Sequence, residues 1–491
     1  MKLFDLAREH ALINTTASTL GWDQETYLPE SAHPFRASQL SWLAGKAHQL
    51  STSEEWQRSL EEAENSNKGD DVVLTANLRE MRRQFDRATK LPVDLVTRQS
   101  EATSMGKHAW VSARRDSDFA SFAPHLETLV SLAREKADLW GYASEPYDAL
   151  LDTYERGSNA ATIATLFDTL RPQLINIGNL AVANSEIRNA KLPAGPYPIE
   201  QQQRFNAAIA ESLGFDLNAG RIDTTAHPFC TTLGPRDVRL TTRYDLEDFT
   251  SSLLGVMHEA GHGLYEQGLP EGDVGLPSGD SVSLGIHESQ SRLWENHVGR
   301  SQAFWERWFP FAVECFPQLG ALSLDDFLAV IRRAEKSFIR VEADEATYDL
   351  HILLRFDLER RLISGDLAVK DLPAAWNEAF SSYFGMTPPD DSHGCLQDIH
   401  WSMGSFGYFS TYTLGNLNAA QLFATAAAEP TVAAGLAKAE YKPLLAWLRT
   451  NIHSHGGTYD PAVLIEKATG APPSADAHLS HLFARYCASA I

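Results

Sequence analysis

The spacing of apolar residues constrains the fold of this 491-residue chain more than any other feature of its sequence. From about residue 1 to 190, apolar side chains recur every three or four residues with charged side chains between them, a period typical of amphipathic α-helices. The same periodicity resumes near Asp248 and continues, with breaks, to the C-terminus. Because 43% of the residues are hydrophobic, such helices can form large cores. The sequence therefore predicts a mostly α protein.

Residues 229–244 depart from this helical pattern. Residues 229–233 and 238–244 are rich in β-branched side chains and lie on either side of Gly234 and Pro235, which is typical of a β-hairpin. Upstream, residues 191–196 contain two prolines and a glycine and are predicted to form a loop. We interpret the chain as a single helical unit, with an N-terminal helical part of about residues 1–190 and a second part of about 191–491.

Charge and cysteine content limit the partners and the compartment. The chain has 64 acidic and 42 basic residues, a formal net charge of −22, whereas nucleic-acid binding requires a basic surface. The same charge is repelled by an anionic membrane leaflet, and no apolar run is long enough to span a bilayer. The N-terminal sequence MKLFDLAREH lacks the apolar core of a secretory signal, and the four cysteines have no CxxC spacing. We expect a cytoplasmic protein with no nucleic-acid or membrane partner.

One short motif indicates a metal site. Residues 255–265 read GVMHEAGHGLY and contain the pattern His-Glu-x-x-His. On an α-helix, His258 and His262 lie one turn apart on the same face, where two imidazoles can bind one Zn²⁺. Glu259 lies beside them and is placed to accept a proton from a metal-activated water. The motif therefore predicts metal-assisted hydrolysis.

A hydrolytic zinc site needs at least one more protein ligand, with the fourth position left for water. Glu288, in the helical segment 283–295, is a suitable carboxylate. Glu295 and His287 in the same segment, and His297 just after it, are rivals, and spacing favours Glu288 while leaving these alternatives open. Two histidines and one carboxylate would form an open, catalytic site rather than a closed structural one.

Several further segments resemble those of one known family. In chain order they are GWDQETYLP (21–29), YDALLD (147–152), HPF (227–229), DVRLT (237–241), HESQSR (287–292), IRVEAD (339–344) and GCLQDIHW (394–401). Together they resemble the metallocarboxypeptidase family named after carboxypeptidase Taq, across nearly the whole chain. One departure is Ser410, which stands where the family commonly has proline before Thr411 and Tyr412. The change frees one backbone dihedral near Tyr412 and removes no chemical group.

The resemblance implies a fold, an assembly and an activity. The implied fold is a large helical body with a deep active-site groove, the metal at its floor, and a small β-hairpin or sheet beside the metal. The implied assembly is a homodimer, and the implied activity is the release of C-terminal amino acids from peptides. The resemblance also assigns Glu288 as the third ligand. A His₂Glu site accepts Co²⁺ or Mn²⁺ as well as Zn²⁺.

Further residues in the matched segments are predicted to bind substrate. By resemblance to helical metallopeptidases, His400 and either Tyr408 or Tyr412 hydrogen-bond the substrate or its oxyanion. An exopeptidase must also bind the free α-carboxylate, for which the guanidinium fork is suited. Arg239 and Arg340 are the candidates for this role, although Arg239 could instead limit substrate length. A further polar candidate is Gln397; packing or surface ion pairs are the alternative role of these side chains.

The same metal site allows other functions. An oligoendopeptidase or a dipeptidyl carboxypeptidase shares the water chemistry and differs in how the groove ends. An endopeptidase would cut a peptide with a C-terminal amide, whereas a carboxypeptidase would not. A zinc-stabilised peptide-binding protein without turnover is a third hypothesis, and the presence of Glu259 argues against it. The favoured prediction is a zinc-dependent metallocarboxypeptidase.

Overall fold

The computed structural model describes residues 1–487 and shows a mostly α chain. In this range there are twenty α-helices and one three-stranded sheet. The helices are α1 (Lys2–Thr26), α2 (His33–Ser51), α3 (Glu54–Ser66), α4 (Val72–Thr89), α5 (Val93–Asp116), α6 (Phe119–Trp140), α7 (Pro146–Leu151), α8 (Ala160–Arg188), α9 (Ile199–Leu213), α10 (Phe249–Glu266), α11 (Leu284–Arg292), α12 (Gln302–Cys315), α13 (Leu324–Ile331), α14 (Tyr348–Ser364), α15 (Leu372–Phe384), α16 (Ser410–Ala428), α17 (Pro430–Leu436), α18 (Lys442–Asn451), α19 (Pro461–Thr469) and α20 (Asp476–Tyr486). The strands are β1 (Gly220–Thr224), β2 (Cys230–Gly234) and β3 (Asp237–Thr242). The predicted fold class, mostly α with a small sheet, is confirmed.

The chain divides into two compact units. The first consists of residues 1–88, 190–331 and 418–474. The second consists of residues 89–189 and 332–417, together with the described residues from 475 onwards. Among the helices of residues 1–487, none is both long and apolar enough to cross a membrane.

Aromatic side chains form the centre of the first unit. Phe205, Phe249, Trp305, Phe316 and Phe327 are fully buried, and the ring centroids of Phe249 and Phe316 lie 4.6 Å apart. Trp305 and Phe327 are 4.5 Å apart in an edge-to-face arrangement, which favours aromatic pairs beyond their buried area. Burying each of these rings stabilises the fold by about 1.5–3 kcal/mol. Because Phe249 is the first residue of α10, its place in this cluster holds the N-terminal end of that helix in position.

The small sheet lies against α10. Its strand order is β1-β3-β2, with β1 parallel and β2 antiparallel to β3. Val238 and Leu240 of β3 are buried, and a Cβ on Gly263 of α10 would lie 2.9 Å from Leu240 Cδ2. The predicted hairpin is therefore present, beside the helix with the His-Glu-x-x-His motif. The parallel strand β1 is an addition, which its five residues, Gly220–Thr224, did not signal.

Helix α14 is the central element of the second unit. Thirteen of its 17 residues are buried, as expected for a helix surrounded by others. Its apolar side chains pack with those of α8 and α15, including Phe356 and Phe167, whose ring centroids are 5.0 Å apart. The same helix also buries His351, Arg355 and Glu359. Since buried charges need partners, these polar groups shape the second unit as much as its apolar core does.

Candidate metal centre and surrounding polar networks

Helix α10 presents the two histidines of the motif. Asp248 caps its N-terminus by accepting a hydrogen bond from the Thr250 amide at 2.8 Å, which satisfies one of the free amides of the first turn. Eleven of the 18 helix residues are buried, so the register of the helix is fixed by packing. The rings of His258 and His262 lie on one face with centroids 4.9 Å apart. Glu259 is 6% exposed.

Helix α11 brings a carboxylate to the same place. Ser283 caps it by accepting a hydrogen bond from the Ile286 amide at 3.1 Å. The helix approaches α10 at Gly261, where an added Cβ would lie 2.6 Å from both Gln290 O and Ser291 Cα. The two main chains are therefore in direct contact, and only glycine fits between them. This contact sets the distance from Glu288 to the two histidines.

Three donor atoms converge between the helices. Oε2 of Glu288 lies 3.7 Å from His258 Nε2 and 3.5 Å from His262 Nε2, and the three donor atoms lie within 4.8 Å of one another. Donors bound to one tetrahedral metal ion at 2.0–2.2 Å are separated by about 3.4 Å. The donor types and their spacing thus fit a single divalent ion.

The rival ligands have other partners. Nδ1 of His258 lies 2.8 Å from Oε2 of Glu295, so Glu295 contacts the back of a predicted ligand. His287 contacts His262 in a similar way. His297 is buried with its ring stacked on Phe423 at 5.0 Å. The structure therefore places Glu288, and not these three side chains, opposite both Nε2 atoms.

Arginines hold the carboxylates around His258. Nε of Arg292 donates to Oε1 of Glu288 at 2.6 Å, which leaves Oε2 turned towards the histidines. Arg292 also lies 3.3 Å from Glu295, and Arg300 lies 3.6 Å from the other oxygen of Glu295. Burial alone would raise the pKa of Glu295, but Arg292, His258 and Arg300 lower it to about 2. An ionised Glu295 accepts the proton on Nδ1 of His258, and Nε2 is then the nitrogen that faces Glu288.

A different chain of hydrogen bonds lies behind His262. Its Nδ1 lies 3.0 Å from the main-chain oxygen of His287 and contacts the ring Nδ1 of the same residue. Nε2 of His287 lies 2.8 Å from Oε1 of Glu266. The second oxygen of Glu266 accepts a hydrogen bond from the Thr232 hydroxyl at 2.7 Å. The chain thus runs from strand β2 to the predicted ligand His262.

The carboxylates of Glu259 and Glu288 differ in their proton affinity. Burial raises the pKa of Glu259 to about 7, against the opposing effect of His258. Burial would also raise the pKa of Glu288, but Arg292 and the two histidines hold it well below its usual range. Since a general base works best with a pKa near the working pH, Glu259 is suited to proton transfer and Glu288 to metal binding.

The other predicted site residue of the first unit, Arg239, is held in place by two neighbours. Its Nε and Nη2 donate to the two oxygens of Asp237 at 2.8 and 2.9 Å. Its guanidinium carbon lies 4.1 Å from the ring centroid of Trp22, a cation–π contact. Stacking on Trp22 and the two hydrogen bonds to Asp237 together hold the guanidinium of Arg239 in one orientation.

In the second unit, Arg340 and Gln397 have internal partners. Nε and Nη2 of Arg340 donate to Oδ1 of Asp398 at 2.9 and 2.8 Å, and Nη1 donates to the Tyr348 hydroxyl at 2.9 Å. The side-chain oxygen of Gln397 accepts from the Arg340 amide at 2.8 Å. Its amide group donates to main-chain oxygens, including that of Phe338 at 3.0 Å. Gln397 therefore ties two chain segments together.

Asp398 balances two buried arginines. Nε of Arg355, which is 0% exposed, donates to its Oδ2 at 2.7 Å, and Arg340 binds its Oδ1. Burial would raise the pKa of Asp398, but the two guanidinium groups hold it well below its usual range. This ionised carboxylate is a charge-assisted hydrogen-bond acceptor on both sides. Sequence reasoning did not single out Arg355, because its partner lies 43 residues away.

His400 lies among aromatic rings in the second unit. Its ring centroid is 4.5 Å from that of Phe409, 5.0 Å from that of Tyr408 and 6.3 Å from that of Tyr412. Nε2 of His400 lies 3.4 Å from the Tyr412 hydroxyl. Burial lowers the pKa of His400 to about 4, so the ring is neutral at pH 7. The structure thus brings the three predicted residues together.

These observations define a class of protein. A helix with His-Glu-x-x-His, joined by a carboxylate from a following helix, is an arrangement typical of metallopeptidases. The carboxypeptidase Taq (M32) metallopeptidase family matches residues 2–486. The chain belongs to this family, and it is a metal-dependent carboxypeptidase that hydrolyses peptides.

Individual relatives cover the whole chain. Thermostable carboxypeptidase 1 of Thermus thermophilus is 43% identical over 99% of this chain and 98% of its own length. The crystal structure of the M32 carboxypeptidase of Deinococcus radiodurans is 36% identical, with a TM-score of 0.94 over 99% of this chain and 98% of that one. Metallocarboxypeptidase 1 of Trypanosoma cruzi is 34% identical, with a TM-score of 0.95 and the same coverage. The predicted family and class of activity are confirmed.

Proposed function

We propose that His258, His262 and Glu288 bind one Zn²⁺ ion and that Glu259 is the general base of peptide hydrolysis. One observation supports this most directly: both Nε2 atoms and Oε2 of Glu288 face a common point. Each Nδ1 has a partner on its other side, so the lone pairs of both histidines are directed to that point. The donor set of two imidazoles and a carboxylate suits zinc, and it also accepts Co²⁺ or Mn²⁺.

The proposed reaction assigns each step to a residue. When bound, the metal polarises the scissile carbonyl and increases the acidity of water. Glu259 accepts a proton from the attacking water as the new C–O bond forms, and it then donates that proton to the leaving amine as the C–N bond breaks. Its raised pKa, about 7, suits both transfers, because the group must gain and lose a proton within one turnover.

Substrate recognition involves further residues. His400, with Tyr408 or Tyr412, is proposed to hydrogen-bond the substrate or its oxyanion; a neutral imidazole and phenol hydroxyls are suitable groups for this. Arg239 and Arg340 are proposed to recognise the free α-carboxylate. Of the five N–H donors of a guanidinium, Arg340 uses three on Asp398 and Tyr348, which leaves one on each terminal nitrogen. Gln397 is proposed to act near the carboxylate by holding Arg340 in position.

We also propose an oligomeric state and a cellular location for the chain. By resemblance to its family, the chain is proposed to work as a homodimer on peptide substrates. A cytoplasmic location agrees with the free thiols of Cys230, Cys315, Cys395 and Cys487, because reducing compartments keep cysteines unpaired.

Mass spectrometry of peptide digests tests the proposal. The protein is loaded with Zn²⁺ and incubated with a peptide in two forms, one with a free C-terminus and one with a C-terminal amide. We expect stepwise loss of single C-terminal residues from the free form only, and no loss after dialysis against a chelator. Glu259→Gln, loaded with the same metal, should leave both peptides intact. A metal-loaded Glu259→Gln protein with the wild-type ladder would overturn the assignment of the base.

A further inference from the structure

We propose that Glu266 and His287 are positioning residues for the metal, and that they form a relay which places a negative charge behind His262. The inference rests on the proposed role of His262 as a metal ligand. It concerns the chain of contacts Thr232–Glu266–His287–His262. Of these residues only His262 is a proposed ligand; Glu266 and His287 act through it. Glu266 is not part of any motif that the sequence analysis singled out.

The proton on each atom of this relay follows from its contacts. A carboxylate has no proton to donate, so Glu266 accepts from the Thr232 hydroxyl at 2.7 Å and from His287 Nε2 at 2.8 Å. The proton of His287 that faces Glu266 is therefore on Nε2. Nδ1 of His262 faces the main-chain oxygen of His287, which can only accept, so this nitrogen holds the proton that lies between the two rings.

The result is a fixed tautomer of His262. Its Nδ1 proton is shared with the main-chain oxygen of His287, 3.0 Å away, and with the His287 ring. Its Nε2 then has the lone pair, 3.5 Å from Oε2 of Glu288. The relay thus places the carboxylate of Glu266 behind two imidazole rings in series, those of His287 and His262. Such outer partners orient a ligand and increase its basicity.

His258 provides the comparison within the same site. Its Nδ1 contacts the carboxylate of Glu295 directly at 2.8 Å, with no ring between them. The side chains of Glu266 and Glu295 are both partly buried, with 17% and 13% exposed. Each of the two histidines therefore has an anion behind it, one in direct contact and one through His287. This correspondence favours a role in metal binding over simple anchoring of strand β2.

Metal affinity is the quantity that tests the relay. The dissociation constant for Zn²⁺ is measured on the full chain by competition with a chromophoric chelator, and the environment of bound Co²⁺ by its visible spectrum. Glu266→Gln keeps the shape and removes the charge, and we expect it to weaken Zn²⁺ binding by about tenfold and to alter the Co²⁺ spectrum. Glu271→Gln, five positions further along the chain on an exposed residue, is the matched control and should bind as the wild type does.

A double variant separates the relay from local packing. His287→Phe keeps the main-chain oxygen but removes both ring nitrogens, and it should also weaken binding. If Glu266 acts through His287, adding Glu266→Gln to His287→Phe should cause no further loss. Additive losses, or a Glu266→Gln affinity within twofold of wild type, would overturn the relay. Should His287→Phe fail to fold, Thr232→Val removes one of the two donors to Glu266 and should give a smaller loss of the same kind.

The proposed function fails in a different way. His262→Ala should lose Zn²⁺ almost completely if this residue is a ligand. Retention of tight Zn²⁺ binding by His262→Ala would overturn the ligand assignment, and the relay with it. Loss of Zn²⁺ by His262→Ala together with wild-type affinity of Glu266→Gln would overturn the relay alone.

Discussion

The two units satisfy their buried polar groups in opposite ways. Around α10 and α11, the hydrogen-bonded chains leave one atom each of His258, His262 and Glu288 directed to a common point. Around Asp398, the polar groups instead close on one another, since both carboxylate oxygens are bonded to Arg340 and Arg355. The open arrangement can bind an ion, whereas the closed one stabilises the fold through Asp398 and leaves only the outer N–H groups of Arg340 for a substrate. Residues of a shared motif therefore do not all have the same kind of role.

The largest expected effect concerns Glu259, the proposed general base beside the open arrangement. Glu259→Gln should lower kcat by about 10³-fold or more, because removal of a general base costs about 10²–10⁴-fold. Its metal content should equal that of the wild type, since no ligand is changed. Rates measured at saturating Zn²⁺, with metal content determined by mass spectrometry, check this. His258→Ala is the contrasting variant and should lose the metal itself; equal zinc content in both variants would contradict the division of roles.

A change in the closed arrangement around Asp398 should lower the free energy of unfolding of the protein. Asp398→Asn leaves Arg340 and Arg355 buried with no counter-charge, and breaking such a buried pair costs about 3–5 kcal/mol. The measurement is the free energy of unfolding from urea titration. Asp116→Asn is the control in the same unit, because the Arg115–Asp116 pair is exposed and its loss should leave the urea midpoint unchanged. Similar midpoints for Asp398→Asn and the wild type would show that the network is not essential to the fold.

A third variant changes the open arrangement without changing a donor. Gly261→Ala adds a Cβ that would lie 2.6 Å from Gln290 O, so α11 must move and Glu288 with it. We expect Zn²⁺ affinity to fall by about tenfold or more, on the scale of the 1–3 kcal/mol that overpacking costs. Gly255→Ala is the matched control on the same helix, because its Cβ would meet only Thr242 Oγ1 at 3.6 Å. Equal Zn²⁺ affinities for the two variants would show that the contact at Gly261 does not set the distance from Glu288 to the two histidines.

The smallest effect is a pH dependence in the second unit. Burial raises the pKa of Glu359 to about 7, although Tyr147, Trp401 and the Gly407 amide donate hydrogen bonds to it. A carboxyl with a raised pKa binds its proton more tightly when folded, so its contribution to stability is complete below about pH 4.5 and is lost as the pH rises through about 7. Between pH 5 and 7 this loss amounts to about 2 kcal/mol.

Glu359→Gln, which cannot ionise, isolates that contribution. The difference in unfolding free energy between wild type and variant should change with pH in this window and be constant below it. Urea titrations at pH 4, 5, 6 and 7 measure the difference. A difference that does not change between pH 5 and 7 would show that the three hydrogen bonds keep Glu359 ionised throughout.

The features that were predictable from the sequence are local ones. The three- and four-residue period identified the helices, and the position of His258 and His262 one turn apart required only the geometry of an α-helix. The hairpin was signalled by β-branched residues on both sides of Gly234. Spacing favoured Glu288 without excluding Glu295, because both lie in the predicted helical segment 283–295 and their directions depend on how α11 packs on α10.

The features that were missed depend on contacts between distant residues. Strand β1 pairs with β3 in parallel, and no local pattern marks the partner of a short parallel strand. Arg355 and Asp398 are brought together only by the packing of the second unit. Glu266 had a local signal, because it lies one turn beyond His262 on the same helix. Its partner His287, 21 residues away, was considered only as a rival ligand.

At Gly261 the main chains of α10 and α11 are in direct contact, with no side chain between them. That contact fixes the separation of the two helices from which the three donor side chains extend. In small zinc modules the metal supplies much of the free energy of folding, whereas here α10 and α11 are held together by main-chain contact and by buried side chains. We therefore expect the protein to stay folded when a chelator removes the proposed ion.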